Sequence, residues 1–309
     1  MKVLNAIDPE QIRALQAARE PFWLDVPRPE PAQLDELAAL FDLHPLAVED
    51  TKDFGQRPKL DEYGDEALMV FFGIDAGTPR EVHMHLGAGW IVTVHKDADG
   101  LLAPVIDRMA SSTSSTYEET LYRILDQLAD SFFPELEAID DVIDTLMSDM
   151  IERPSADQRQ RLFELRRQLV SLRRIVGPQR DLLVRSDVVL ERLPGVDRDE
   201  ARHWLRDIYD HQLRIAEQID AERDLLSGAL DVYLSTVSNR LNQVSKQLTV
   251  VATIFLPLTF VTGFFGQNFG SMVRHINTPA AFWGYGVGGL IVSGIALLWW
   301  FRRSGFLHD

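Results

Sequence analysis

The 309-residue sequence contains no cysteine, which excludes a disulfide framework and any metal site built on thiolates. Its first residues, MKVLNAIDPEQIRAL, lack the apolar core and small-residue cleavage site of a secretory signal. No P-loop pattern and no nucleophile–base pair can be recognised along the chain. The sequence therefore supports neither an ATP-driven pump nor an enzyme.

Basic residues are scarce: the chain has 31 Lys and Arg against 47 Asp and Glu, which gives a net charge of -16. Nucleic acids are disfavoured as partners, because phosphate binding requires clustered Lys and Arg. The excess of acid is compatible with cations, although it equally describes a solvated surface that keeps a protein soluble. The charged residues after position 245 are Lys246, Arg274, Arg302, Arg303 and Asp309. The net negative charge therefore lies in the first 245 residues.

Two long runs near the end carry no charge at all. Residues 248–265 form an 18-residue run and residues 280–301 a 22-residue run. As helices they measure roughly 27 and 33 Å, and a bilayer core is about 30 Å thick. The sequence therefore predicts two transmembrane helices.

The flanking charges orient these spans. Arg240 and Lys246 precede the first span, Arg302 and Arg303 follow the second, and Arg274 is the one Lys or Arg between them. The positive-inside rule then predicts that both chain ends and the acidic body are cytoplasmic, in a plasma (inner) membrane.

The first span is the better candidate for a pore wall. It contains several threonines, and Pro257 deprives the carbonyl of Thr253 of its helical partner, which in lipid must face protein or water. The alternative is a plain kink with threonines bonded to their own helix. Two spans cannot enclose a channel, so a pore requires several copies of the chain.

The cytoplasmic body is predicted to begin with a mixed α/β domain. Short runs rich in β-branched and aromatic residues predict strands, and one segment between them has helical periodicity. The strands are 22–26, 67–74, 81–86 and 90–95, and the helix is 30–43.

The chain then becomes helical. An acidic helix over 117–154 and a basic one over 157–176 favour an antiparallel pair, although both faces could simply be solvated. A third helix starts near Asp197 and runs into the first span, for roughly 100 Å if it is unbroken to Phe265. The predicted fold class is α+β, with domains at 1–115 (α/β), 116–247 (helical funnel and stalk) and 248–309 (transmembrane).

Three stretches resemble the CorA family of divalent-cation channels and transporters, which includes a zinc-linked ZntB branch. They are HPLAVEDTKDFGQRPKLDEY (44–63), RDIYDHQLRIAEQIDAERDLLSGALDVYLSTVSNRLNQV (206–244) and ATIFLPLTFVTGFFGQNF (252–269). The resemblance implies a homopentamer in which an α/β domain sits on a funnel of long helices and the first span lines the pore.

The resemblance also implies a selectivity filter at Gly266, Gln267 and Asn268, where the magnesium branch has Gly-Met-Asn. A ring of Asn268 amides would hydrogen-bond the hydration shell of Mg²⁺, which gives up its water reluctantly. The alternative for Asn268 is a helix C-cap. The implied pore-lining residues are Asn242, Ser245, Leu248, Thr253, Leu256, Thr259 and Gly263.

By the same resemblance, four carboxylates form a regulatory Mg²⁺ sensor between neighbouring subunits. They are Glu49, Asp50, Asp126 and Asp207. Bound Mg²⁺ would offset their repulsion and hold the ring closed. Ion pairs, for example with Arg206 or Arg57, are the alternative.

Two departures from the magnesium branch favour the zinc-linked branch or another activity. Gln267 replaces methionine, and the following GSMVRHINTP has no acid. His203, Asp207 and His211 stand four apart on one helical face, a candidate Zn²⁺ or Ni²⁺ arrangement, and His83 and His85 share a strand face. Paired surface histidines without a third ligand are the ordinary interpretation.

The sequence therefore predicts gated, passive passage of hydrated Mg²⁺, with Co²⁺ or Ni²⁺ as further ions, into the cytoplasm. One alternative is Zn²⁺ transport coupled to protons. Another, from a different class, is a non-conducting, membrane-anchored regulatory or interaction protein.

Overall fold

The computed structural model of the protein describes residues 1–111, 115–190, 192–194, 196–267, 269–275 and 277–303. The chain forms two compact units, Met1–Tyr233 and Leu234–Asp309. The first contains a sheet and most of the helices, and the second contains both uncharged runs.

The first unit is built on a mixed six-stranded sheet. Its strands are β1 (Lys2–Leu4), β2 (Phe22–Pro27), β3 (Lys59–Tyr63), β4 (Glu66–Asp75), β5 (Thr78–Gly87) and β6 (Trp90–His95). The order is β1-β2-β6-β5-β4-β3, in which β1, β2 and β6 are parallel and the remaining pairs antiparallel. Two-residue turns explain the antiparallel half: Ala76 and Gly77 join β4 to β5 at φ 48° and 74°, the twist that tight hairpins require.

Helices cover both faces of this sheet. The helices up to the first candidate span are, in chain order, α1 (Pro9–Ala18), α2 (Pro31–Phe41), α3 (Pro45–Lys52), α4 (Asp99–Ser111), α5 (Tyr117–Asp130), α6 (Phe132–Glu152), α7 (Ala156–Leu190) and α8 (Arg198–Phe265), whose last part belongs to the second unit. Because side chains alternate along a strand, Phe22 and Leu24 of β2 pack with α1 and α2, whereas Trp23 packs with α4 and α5. Burial on both faces accounts for the nearly continuous apolar strands.

Two predicted helices have different bounds. The helix expected over 117–154 is two helices, since the Ser131 hydroxyl donates to the Leu128 carbonyl at 2.6 Å and accepts from the Ile74 amide at 2.7 Å. This competition with the backbone ends α5. The basic helix continues past residue 176, through Pro178, to Leu190. Its Arg173 bonds Asp220 of α8.

The second unit holds the end of α8, then α9 (Gly270–His275), α10 (Pro279–Ala281), a π-helical turn (Phe282–Val287) and α11 (Gly288–Arg303). Arg198–Phe265 and Pro279–Arg303 are each long and apolar enough to cross a membrane. The most apolar window of the first has none of its residues buried, and Leu256 is 76% exposed. The long helix, the mixed sheet and the two C-terminal candidate spans confirm the predicted fold class.

The threonines of the first span bond to their own helix. The hydroxyls of Thr249, Thr253 and Thr259 donate to carbonyls four residues earlier, at 2.7–2.8 Å. This matches the alternative stated for these residues, so their polarity alone does not identify a pore wall. Such back-bonding satisfies hydroxyls within a bilayer.

Candidate metal centre

A histidine and two aspartates meet where α5 lies beside α8. Nδ1 of His211 lies 3.3 Å from an Oδ1 of Asp126 and 3.2 Å from an Oδ1 of Asp130. One ligand atom from each residue lies within 4.8 Å of the other two. Asp126 and Asp130 are one helical turn apart on α5, which places both carboxylates on the face toward α8. Imidazole with carboxylates is a donor set suited to divalent first-row metals.

Asp207 borders this cluster from the preceding turn of α8. Its Oδ2 lies 3.9 Å from Nε2 of His211 and accepts a hydrogen bond of 3.0 Å from the Tyr122 hydroxyl. The Tyr122 ring lies against Trp204, with ring centroids 4.4 Å apart. The aromatic pair therefore fixes the Asp207 carboxylate beside the imidazole.

The cluster accumulates negative charge in a half-buried place. Burial raises the pKa of Asp126, and the charges of Asp130 and Asp207 raise it further, against a lowering by His211 and Arg108. Burial and the hydrogen bond to Asp207 also raise the pKa of Tyr122. The carboxyl group of Asp126 therefore holds its proton more readily than an isolated one does.

Two buried atoms in the cluster have no hydrogen-bond partner within the described part of the chain. They are Oδ1 of Asp126 and Nδ1 of His211. Buried polar atoms normally have a partner. A divalent cation would coordinate both atoms and offset the acidic charge, so the residues present fit a metal ion.

The structure brings together only part of the predicted sensor within one chain. Asp126 and Asp207 both border His211, whereas Glu49 and Asp50 lie on α3. Asp50 bonds Nζ of Lys59 at 2.5 Å, and Glu49 is exposed. The ion-pair alternative thus describes Asp50, with Lys59 as its partner.

The histidines singled out in the sequence lie in different settings. Exposed His203 contacts the Asp199 carbonyl through Nδ1 at 2.6 Å, whereas His211 faces the α5 acids. His83 and His85 are buried on β5, where Nε2 of His83 contacts Glu81 at 2.6 Å and Nε2 of His85 contacts Thr51 at 2.9 Å. Burial, followed by the neighbouring His83, lowers the pKa of His85 to about 3.

Sequence reasoning missed Asp130. The sequence feature that could have identified it is its spacing, because Asp130 follows Asp126 by one helical turn.

Of the predicted filter, Gly266 and Gln267 are exposed and Asn268 lies outside the described residues. The predicted pore-lining residues follow α8, where Thr253 is half-buried. The others are exposed in the single chain: Asn242, Ser245, Leu248, Leu256, Thr259 and Gly263.

Comparisons with known proteins cover nearly the whole chain. A family model described as CorA-like Mg²⁺ transporter protein matches residues 19–303. The cobalt/magnesium transport protein CorA of Thermotoga maritima is 31% identical over 97% of this chain and 87% of its own length. The zinc transport protein ZntB of Yersinia enterocolitica is 27% identical over 98% of this chain and 92% of its own.

Two solved structures have the same fold. The CorA magnesium transporter from Methanocaldococcus jannaschii matches with a TM-score of 0.79 at 24% identity, covering 92% of this chain and 91% of its own. Full-length CmaX matches with a TM-score of 0.71 at 24% identity, covering 91% of this chain and 87% of its own.

The metal centre predicts the effect of removing its imidazole. We expect His211→Ala to weaken Co²⁺ binding to the full chain by at least the roughly 10–100-fold that outer-shell partners typically contribute, because a ligand is lost. Binding to the wild type should tighten as pH rises through the raised pKa of Asp126, since the metal must displace that proton. Isothermal titration in detergent measures both effects.

His203→Ala is the matched control, because His203 lies two turns earlier on α8 and faces solvent. It should bind Co²⁺ as the wild type does. Equal losses from both substitutions would contradict a metal centre confined to His211 and the α5 aspartates.

Proposed function

Because the chain belongs to the CorA-like Mg²⁺ transporter family, we propose that it passes hydrated Mg²⁺, and with it Co²⁺ or Ni²⁺, through a pore formed by five copies. Family membership makes it a membrane transporter of divalent cations rather than an enzyme. The observation that carries the proposal is the exposed, uncharged end of α8, followed directly by Gly266, Gln267 and Asn268. We assign 1–115 and 116–247 to the cytoplasm and 248–309 to the membrane.

The filter works through neutral oxygen atoms. Five Asn268 side chains present amide carbonyls that accept hydrogen bonds from the water shell of Mg²⁺, so the ion passes without losing that shell. A ring of carboxylates would hold a dication more tightly and slow its release. Deeper in the pore, Leu256 and Leu248 form apolar constrictions that close by dewetting. Thr259 and Asn242 provide polar side chains that contact the hydrated ion.

The membrane potential supplies the driving force. Two positive charges that move into an inside-negative cell across 100 mV gain roughly 4.6 kcal/mol. Both chain ends lie on the cytoplasmic side of the plasma (inner) membrane, so the acidic body receives the incoming ion. Negative charge there raises the local concentration of cations.

The metal centre of α5 and α8 supports a role as the regulatory sensor. Asp126, Asp207 and His211 lie together in one chain, and we assign Glu49 and Asp50 to contacts with the next copy. Mg²⁺ at this place neutralises carboxylates that otherwise repel one another. Its loss at low cytoplasmic Mg²⁺ lets the copies separate and opens the pore.

Zinc transport coupled to protons is the second candidate. The imidazole of His211 in the cluster, the Gln267 substitution and a ZntB relative at 27% identity favour it. His203 is then a further zinc ligand. Nitrogen donors suit Zn²⁺ better than Mg²⁺, which prefers oxygen.

The filter predicts the behaviour of Asn268→Ala. Loss of the amide oxygens removes the hydrogen bonds to the hydrated ion, so Mg²⁺ influx into liposomes should fall at least about tenfold, the equivalent of about 1.4 kcal/mol. The oligomer should persist, as size-exclusion chromatography with light scattering will show. The assay follows a Mg²⁺-sensitive dye under an inside-negative potential.

Asn277→Ala is the matched control, because it is the same substitution outside the motif, and it should conduct as the wild type does. Unchanged influx in Asn268→Ala would refute the filter. Zn²⁺ influx that requires a pH gradient would favour the zinc alternative. Absence of influx of both ions from the wild type would favour the non-conducting anchor.

The sensor predicts a channel that fails to close. Asp50→Ala combined with Asp207→Ala removes carboxylates that Mg²⁺ must bridge, so influx should persist at millimolar internal Mg²⁺, where the wild type closes. Asp141→Ala with Asp224→Ala removes two exposed acids elsewhere and should close normally. Normal closure of the sensor variant in the same liposome assay would contradict the assignment.

A further inference from the structure

A carboxylate lies among the buried apolar residues along one face of α8. Buried residues recur along this helix at steps of three and four, and Glu222 stands in the series between apolar neighbours. The series is Ile215, Ile219, Glu222, Leu226 and Ala229. The Glu222 residue is only 3% exposed. A charged side chain at such a place needs a partner, because an unpaired buried charge is strongly unfavourable.

The groups that face Glu222 are acidic or neutral. From α6, Asp140 and Asp144 add negative charge, while Gln218 of α8 is a neutral polar neighbour. The neighbouring cations are engaged elsewhere, since Arg173 of α7 and Arg223 of α8 both bond Asp220. Among the described residues, Oε2 of Glu222 is buried without a hydrogen-bond partner.

A hydrogen bond between two carboxyl groups requires a proton. Ionised carboxylates are acceptors only, so Glu222 can donate to a neighbouring carboxylate only when it carries a proton. Burial first, and then the charges of Asp140 and Asp144, raise the pKa of Glu222 to about 7, against a lowering by Gln218. Protonation near neutrality removes the buried charge and supplies the missing donor.

We propose that Glu222 and Asp140 form a proton-binding site that fastens α6 to α8. With the proton bound, a neutral carboxyl bridges the two helices inside their apolar contact. When the proton leaves, three carboxylates face one another across the same contact and push the helices apart. The site is separate from the metal centre, because Asp126 and Asp130 lie on α5 rather than α6, and His211 lies 11 residues before Glu222 on α8.

The sign of the pH effect follows from the raised pKa. Unfolded Glu titrates near about 4.3, so the stability from this site is fully present below that value and is lost as pH rises through about 7. Glu222→Gln keeps the size and a neutral donor and cannot ionise. The variant should therefore escape the loss at alkaline pH.

Thermal unfolding of the full chain in detergent with a chelator, from about pH 5 to about pH 9, tests the proposal. The melting temperature of the wild type should fall relative to Glu222→Gln, by a few degrees, as pH rises through about 7. The two should approach each other at acidic pH. Glu217→Gln, the same substitution at an exposed position of α8, should follow the wild type.

A Glu222→Gln profile that parallels the wild type, or is lower at alkaline pH, would overturn the proposal. A second measurement does not depend on how well that variant folds. Infrared difference spectra of the wild type should show a protonated-carboxyl C=O band that disappears as pH rises through neutrality, and Asp140→Asn should shift this change to lower pH. Absence of the band in the wild type at neutral pH would equally refute a shared proton.

For the proposed transporter, cytoplasmic pH becomes a second input beside Mg²⁺, a consequence that rests on the proposed function. The unfolding and infrared measurements test the proton site alone. Their failure would leave the transport proposal standing, and failure of ion influx would leave the proton site standing.

Discussion

The bilayer imposes the constraint on which the rest of the molecule depends. Both C-terminal helices present large apolar side chains that the single chain does not cover. Water disfavours such surface, whereas lipid or another copy of the chain accepts it. Because two helices cannot surround a path for ions, a conducting form requires several copies.

The distribution of charge follows from the same constraint. Acidic residues gather in the first unit, while the spans are neutral and end in basic residues. Carboxylates that approach one another need compensation, and the structure offers two kinds. At Asp126, Asp130 and His211 the donor set suits a metal ion, whereas Glu222 beside Asp140 suits a proton. Both places join α8 to the helices that precede it.

Much of this arrangement was predictable from the sequence. Periodicity predicted four of the six strands, β2, β4, β5 and β6, and the long helix to Phe265, but not the short β1 and β3. The nearness of Asp126 to Asp207 follows from the family resemblance. The break at Ser131 was not predictable, because it depends on the amide of Ile74, far away in sequence. The extension of α7 through Pro178 and the burial of Glu222 likewise depend on neighbours that one sequence does not identify.

The most direct test of the central claim uses the absence of cysteine, since an introduced cysteine is then unique. Leu256→Cys lies on the proposed pore face, and Leu258→Cys, two residues on, lies about 200° around the helix. A charged, water-soluble thiol reagent should block Mg²⁺ influx through Leu256→Cys and leave Leu258→Cys unaffected. Equal reaction at both positions, or at neither in conducting liposomes, would contradict a water-filled path lined by this helix.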